Sequence, residues 1–474
     1  MSWPVARAVH RKWQESGDSP TIDFLCRPKF AQALADLEVL HQVKYLPSPQ
    51  VLSYFLDGVS TESVQMAKNE MNAFLKQLSD EKYDIVYNLT YSPLSSYISF
   101  ILEKNGTQVF GYSRFADDTL KITDNMSGYF YAQVGVKKSN RFHLTDIFSA
   151  VAEVVYQSED WSIKSTKPVH LPSKYIVVHI GTSEVQKALP AYAWAEILNA
   201  YFKNSDSALP IVLVGSNEEV GKCKEIINDC YETSKIIDLV GNTVLQDLVN
   251  TVCHAQLLVG CDSAPMHIAS LSNTPSLCIS IGQVNFWETG PKADESWILR
   301  YEQEKEIIPH TISLWMHQVL EKKIALEGIV RSSGMESYKC PWGLSSDADW
   351  LWIKALYLGE AWPVIDDYKV YQNLEKFQQV NSIILQALKQ SEKNLKIEKS
   401  ILETAENLLE SIGQSKDFVR PLFYWYQAEK VKVAPGTAEE LIANYLNVHS
   451  RLQQILSHYI LEETTKEGSN YGKI

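Results

Sequence analysis

Between residues 175 and 281, five short runs dominated by Val, Ile and Leu alternate with stretches of helical spacing, and this alternation limits the possible folds more than any other feature. The runs cover 175–179, 210–214, 236–238, 257–259 and 276–280, and helical spacing or helix-start signals occupy 192–202, 218–230, 245–253 and 265–270. Strands that are apolar along their whole length must be covered on both faces, which predicts a parallel sheet sheathed by helices. A linker, Lys167-Pro168-Val169-His170-Leu171-Pro172, precedes the block, and its prolines favour extended chain over helix.

A fainter alternation runs through the first half, with strands expected at 21–25, 42–45, 84–88 and 108–111 and helices at 5–13, 30–34, 62–78 and 93–103. Parallel strands need helical crossovers, so this half is expected to form one doubly wound sheet. Beyond about residue 330 no strong strand signal remains and several long helices are expected. Ile383, Ile384, Ala387 and Leu388 form one apolar stripe, and Ile401, Leu402, Ala405, Leu408, Leu409 and Ile412 another. Gly413 reads as a C-terminal stop, and Thr437 with Glu440 as a capping box opening the last helix. The expected organisation is therefore 1–166, 167–329 and a helical extension, 330–474.

Composition excludes some classes of partner. The 44 Lys and Arg against 57 Asp and Glu leave a net charge of −13, which opposes nucleic-acid backbones and anionic lipid as broad partners. The seven cysteines are scattered without a CxxC pair, as reduced cytosolic thiols are. The opening MSWPVARAVHRKW has no apolar core of the secretory kind, and no run is long enough to span a membrane. The expected location is cytoplasmic, with any membrane contact peripheral, at the inner face.

Five loops follow the strands of the second block, and in open α/β sheets ligands bind beyond the carboxyl ends of strands. Gly181-Thr182-Ser183, followed by Lys187, offers hydroxyls, backbone N–H groups and an ammonium: an anion cradle, or a polar loop capped by Ser183 beside a solvated lysine. In Gly215-Ser216-Asn217-Glu218-Glu219 a carboxylate or amide could bridge ribose hydroxyls, or the acids could simply favour the helix dipole. Gly241 permits a turn in the third loop, where Asn242 or Thr243 is expected to cap the next helix. In the fourth, Gly260-Cys261-Asp262-Ser263-Ala264-Pro265-Met266-His267, Pro265 suits a first helical turn, so backbone N–H groups would face a diphosphate with Asp262 and His267 beside it. The competing role for Asp262 is capping that helix. The fifth, 281–291, is a glycine-bearing loop that either closes over a ligand or is a surface turn.

Together these segments resemble the donor-binding half of glycosyltransferase family 9, the lipopolysaccharide heptosyltransferases. The matching text is VVHIGTSEVQKALPAYAWAEIL, IVLVGSNEE, DLVGNTVLQDL, LLVGCDSAPMHIASLSNTPSLCISIG and the loop ending TGP, in order over about 120 residues. YDIVYNLTYSPLSSYISFIL, VFGYSR and RFHLTDIF carry a weaker resemblance in the first half. The resemblance implies a GT-B architecture, two Rossmann-like domains facing a cleft with the donor on the second. By motif position, Thr182 and Ser183 would contact donor phosphates and Lys187 would neutralise the leaving diphosphate. Asn217 or the neighbouring Glu218 would reach the ribose, and the backbone of Asn242, Thr243 and Val244 would hold the base. Asp262 would contact the sugar, with Ser263 and Ala264 N–H groups on the phosphates and His267 nearby. The family's Asp-Thr-Gly here reads Asp262-Ser263-Ala264, which requires a negative φ at Ala264.

The resemblance also implies an opening strand and a Gly-Asp turn whose acid is the general base. Here Met1 to Val9 resembles the helix start that follows them, so either the reading frame starts upstream or the base has been lost. The expected function is inverting transfer of a sugar, heptose by resemblance, from an ADP-sugar to a cell-envelope glycan or a protein hydroxyl. The alternative is an inactive relative that binds a sugar nucleotide or glycan as a scaffold module; a UDP donor is a third reading. No metal or cofactor is expected. Asp347-Ala348-Asp349 has the Asp-x-Asp form but follows no strand, so helix capping is the simpler role, and Cys253, His254, Cys261 and His267 lack paired metal-ligand spacing.

Overall fold

The computed structural model describes residues 1–133, 140, 142–182, 187–205, 207–282, 284–323, 330–332, 335–339, 348–394, 399–414 and 420–470. Its strands in chain order are β1 (Ile22–Cys26), β2 (Leu40–Tyr45), β3 (Ile85–Asn88), β4 (Gln108–Arg114), β5 (Leu120–Ile122), β6 (Ile176–His179), β7 (Ile211–Val214), β8 (Ile236–Asp238), β9 (Leu257–Cys261), β10 (Ser276–Ile281), β11 (Ser296–Tyr301), β12 (Val330–Ser332) and β13 (Met335–Lys339). The fold is α/β with a parallel sheet and a helical C-terminal region, as expected.

The chain forms two compact units, each built from separate segments. The first gathers Met1–Leu46, Arg141–Ser149 and Val154–Leu344; the second gathers Pro47–Asn140, Ala150–Glu153 and Ser345–Ile474. The expected boundaries near 166 and 329 both fall within the first unit. Periodicity locates elements along the chain, but not which of them share a core.

The first unit is organised by an eight-stranded sheet in the order β12-β13-β11-β10-β9-β6-β7-β8. From β11 to β8 the strands are parallel; β13 and β12 add an antiparallel edge. Alternate side chains feed the two faces. Ile176, Val178, Ile211, Leu213, Leu257 and Val259 enter one apolar core, while Val177, Val212, Val214 and Leu258 enter the other. Both faces are therefore buried, which is why the strands lack polar alternation. The chain runs from β6 to one side through β7 and β8, then returns to β9 and runs to the other through β10 and β11. The topological switch point thus lies between β6 and β9.

Four strands went unread, β5 among them. β11 follows the loop ending in Pro291, and β12 and β13 lie in the stretch expected to be helical. β5, β12 and β13 pair antiparallel toward the sheet edges and need little continuous apolar sequence, whereas β11 lies inside the sheet beside β10. The first-half strands also differ from expectation: they form a parallel β1-β2 pair in the first unit and a separate β3-β4-β5 sheet in the second. The N-terminal helix Ser2–Glu15 buries Trp3 and Ala6 in a cluster with Leu34, Leu37 and Leu271.

The second unit holds the β3-β4-β5 sheet and the helices Asn125–Gln133, Ala348–Leu358, Tyr368–Asn394, Lys399–Gln414, Arg420–Val431 and Ala438–Asn470. The C-terminal helices are not a separate body: Tyr129 meets Tyr357 edge-on with ring centroids 5.0 Å apart, and Lys432 Nζ donates to Asn125 Oδ1 at 2.9 Å. The capping box forms, with the Glu440 carboxylate accepting from Thr437 N–H at 2.8 Å and Glu440 N–H donating to Thr437 Oγ1 at 3.3 Å. Gly413 is the last residue but one of Lys399–Gln414, and a Cβ there would run into the Phe423 ring. Ile384, Ala387, Leu388, Ala405 and Leu409 are buried, whereas Ile383 and Leu408 stay exposed at the stripe edges. Among the described residues no helix is long and apolar enough to cross a membrane.

Candidate functional site at the switch point

β6 and β9 are hydrogen-bonded neighbours, with His179 in register with Gly260, so the loops after them leave the sheet side by side. His179 Nδ1 lies 3.0 Å from Ser263 Oγ, which in turn donates to the Cys261 carbonyl at 2.9 Å. With the serine proton engaged there, the ring presents Nδ1–H to Ser263. Burial lowers the His179 pKa to about 4, so the ring is neutral near pH 7. The buried Cys261 thiol, pushed up to about 11 by burial, accepts a bond from the Leu189 backbone N–H. Leu189 is two residues beyond Lys187 and Cys261 is adjacent to Asp262, so the Lys187 and Asp262 segments converge on one rim. Thr182 is half-buried at the start of the β6 loop; Ser183 lies outside the described residues.

The helix Ala264–Ser272 begins in this rim. Its N-cap is Ser263, in extended conformation, and no side chain caps it. Asp262 is thus not the cap; its carboxylate instead accepts from Thr289 Oγ1 at 3.1 and 3.2 Å. Ala264 opens the helix and is not among the positive-φ residues, which meets the requirement set by its replacing glycine. His267, half-exposed one turn into the helix, is held by burial at about 3.

At the end of β7 the Glu219 carboxylate accepts from Ser216 N–H and Oγ–H, both at 2.6 Å, while Glu218 N–H donates to Ser216 Oγ at 3.2 Å. The acidic pair divides accordingly: Glu219 closes a capping box, and Glu218 is exposed. A Cβ at Gly181 would sit 2.7 Å from the Glu219 carboxyl, so that glycine lets the β6 loop rest on the cap. Asn217 is exposed, and its Oδ1 occupies the space a Cβ at Gly241 would need, 2.6 Å away; Gly241 also has φ +73°. The expected cap in the third loop does not form: Val244 is the N-cap of Leu245–Cys253, without a side-chain bond. Asn242 instead donates Nδ2–H to the Val240 carbonyl at 3.3 Å, and Thr243 is half-buried. Exposed Val244 leaves the helix start open beside the Asn217 loop.

The fifth loop is more than a surface turn. It forms a short helix, Phe286–Thr289, whose Phe286 and Trp287 are buried, and it carries Thr289 to Asp262. Sequence reasoning missed Thr289 and two further residues. Lys222, on the helix Val220–Asn228, donates Nζ–H to the Ile180 carbonyl at 2.9 Å, with its pKa lowered by burial. Buried His143 bonds to Gly290; its signal was the RFHLTDIF text, which periodicity alone did not explain. No group of three or more His, Cys, Asp or Glu among the described residues is placed to hold a metal ion, and Asp347 lies outside them.

The profile of glycosyltransferase family 9 (heptosyltransferase) matches residues 71–308, just over half of the chain. The chain belongs to glycosyltransferase family 9. The match contains every loop of the switch-point site and extends into the second unit. Similar solved structures of this family include E. coli ADP-heptose lipopolysaccharide heptosyltransferase II, at 14% identity and TM-score 0.45, covering 68% of this chain and 96% of that one. E. coli heptosyltransferase WaaC with ADP is 13% identical at TM-score 0.48, covering 67% of this chain and 95% of that one. A glycosyltransferase family 9 protein from Veillonella parvula is 15% identical at TM-score 0.47, covering 67% and 93%. No curated protein is significantly similar in sequence.

Proposed function

We propose that this family 9 glycosyltransferase is an inverting enzyme that moves heptose from ADP-heptose to a hydroxyl of a cell-envelope glycan or a protein. The observation that carries the reading is the meeting of the β6 and β9 loops at the switch point, beside a helix start that no side chain caps. An uncapped helix N-terminus favours negative charge. Ser263 and Ala264 N–H groups and Lys187 would hold the diphosphate, with Thr182 and Ser183 in the adjoining loop. Asn217 and Glu218 would face the ribose and the open start at Asn242 to Val244 the base, with Asp262 and His267 toward the sugar.

In the transfer the acceptor oxygen attacks the anomeric carbon as the bond to the diphosphate breaks, so charge grows on the leaving ADP and the acceptor hydroxyl's proton passes to solvent. Lys187 and the helix start act on the charge of the leaving group, where a fixed cation stabilises the transition state more than the ground state. Neutral His179 fixes Ser263, and through it the first turn of the helix.

Isothermal titration of the full chain with ADP-heptose, ADP and UDP tests the reading, together with ADP release in the presence of acceptor glycan. We expect binding of both adenine ligands and none of UDP, with turnover. UDP binding in place of ADP would overturn the donor assignment. Binding without turnover would favour the scaffold role.

A further inference from the structure

The RFHLTDIF segment has no place in the mechanism above, yet it touches the site. Its buried His143 accepts the Thr145 backbone N–H at Nδ1, 3.2 Å, which leaves Nε2–H to donate to the Gly290 carbonyl at 3.1 Å. Three residues on, Asp146 Oδ1 accepts from Lys292 Nζ at 2.7 Å and from Tyr156 OH at 2.6 Å, and Lys292 Nζ also donates to Tyr156 OH at 2.7 Å. The loop is thus held at two points on the C-terminal side of Thr289, Gly290 by His143 and Lys292 by Asp146. Lys292 N–H donates in addition to Ser270 Oγ at 2.8 Å, tying the loop to the helix that begins at the site. Thr289, next to the gripped carbonyl, gives its hydroxyl to both oxygens of Asp262.

We propose that His143 and Asp146 are positioning residues: they fix the 286–292 loop so that Thr289 sets the orientation of the Asp262 carboxylate toward the donor sugar. This rests on the reading of Asp262 as the sugar contact. A carboxylate oxygen has more than one lone pair, so accepting from Thr289 does not by itself exhaust its capacity for a sugar hydroxyl. Thr289 is one of the groups that set the direction of the Asp262 carboxylate, and the chain on the C-terminal side of Thr289 is clamped at Gly290 and Lys292. Burial, with Lys292 and His267 nearby, drives the His143 pKa far down, so the ring stays neutral and keeps its single-donor, single-acceptor arrangement.

The signature is a loss confined to the sugar. Titrations of the full chain with ADP and with ADP-heptose compare wild type, Asp262→Ala, Thr289→Val, Asp146→Asn, His143→Leu and His143→Gln. Thr289→Val and His143→Leu are expected to weaken ADP-heptose about tenfold while ADP changes less than about twofold. His143→Gln, whose amide can still donate to Gly290, should recover most of the loss. Should His143→Leu fail to fold, Thr289→Val and Asp146→Asn decide alone. If Asp262→Ala loses ADP-heptose selectively but Thr289→Val does not, the clamp is wrong and the sugar contact stands. If Asp262→Ala binds ADP-heptose like wild type, the sugar contact itself falls, and the clamp with it.

Discussion

The rim of the parallel sheet and the interior of the C-terminal helices both gather polar side chains, but they use them oppositely. Along β6, β7 and β9 nothing polar interrupts the core before His179 at the end of β6, and the carboxylates and the ammonium of the loops come only past the strand ends. Between Tyr368–Asn394 and Ala438–Asn470, by contrast, polar groups lie in the middle of the packing. Fully buried Asn381 donates Nδ2–H to the His449 carbonyl at 3.0 Å and to Gln453 Oε1 at 2.8 Å, and takes His449 Nδ1–H on its Oδ1 at 2.7 Å. Here donors and acceptors satisfy each other and fix one register between two helices. At the rim, the helix starts at Ala264 and Leu245 are left without side-chain caps, with Ala264 and Val244 exposed. Polar groups that close on themselves make structure, and those held open at a strand end are what a ligand can use.

Damage to one region should therefore leave the other's property intact. The largest expected effect is on turnover: Lys187→Ala should lower kcat by about 100- to 1000-fold, as loss of a transition-state charge partner does, with Tm unchanged within about 2 °C. A parallel fall in Tm would remove Lys187 from the chemistry. Asn381→Leu should do the reverse. It strands the His449 donor and the Gln453 acceptor in the core and should cost about 3 kcal/mol of stability by urea unfolding, with ADP affinity unchanged.

Acidification should expose the helical network at a smaller scale. Burial holds His449 at about 3, against an ordinary value of 6.5. The unfolded chain therefore takes up that proton first, so stability falls as pH drops below 6.5 and continues to fall toward 3. At pH 5 this amounts to about 2 kcal/mol for one such histidine, and His449→Gln should reduce the pH 7 to pH 5 difference in unfolding free energy by that amount. An unchanged difference would mean that His449 is solvated. The smallest effect sharpens the contrast most: Val244→Asp supplies the missing cap and should add about 0.5–1 kcal/mol of stability while weakening donor binding, because it fills and charges a helix start kept open. Tighter donor binding would show that the open start has no part in recognition.

The central strands and the loop order were legible because strands buried on both faces leave unbroken Val, Ile and Leu runs, and the chemistry-bearing residues follow each run at once. The partnerships were not. Asp262 with Thr289, and His143 with Gly290, depend on how loops distant in sequence fold over the rim, so Asp262 read equally well as a cap. At Gly413 the sequence suggested a helix end but could not show the close approach of Phe423, which also calls for a missing side chain. The strands β5, β12 and β13 were missed because edge pairing asks little of composition, whereas β11, flanked by β10 and β13, has its apolar run bounded by Ser296 and Arg300.

The interleaving of the two compact units has a practical consequence for anyone cutting this gene. The helices after residue 345 share a unit with 47–140, and the helix Asn125–Gln133 rests on them. An expression clone ending near residue 329 would strip Tyr129 and its neighbours of their cover and yield insoluble material, so the C-terminal third is a wall of the enzyme and not a tail that can be trimmed.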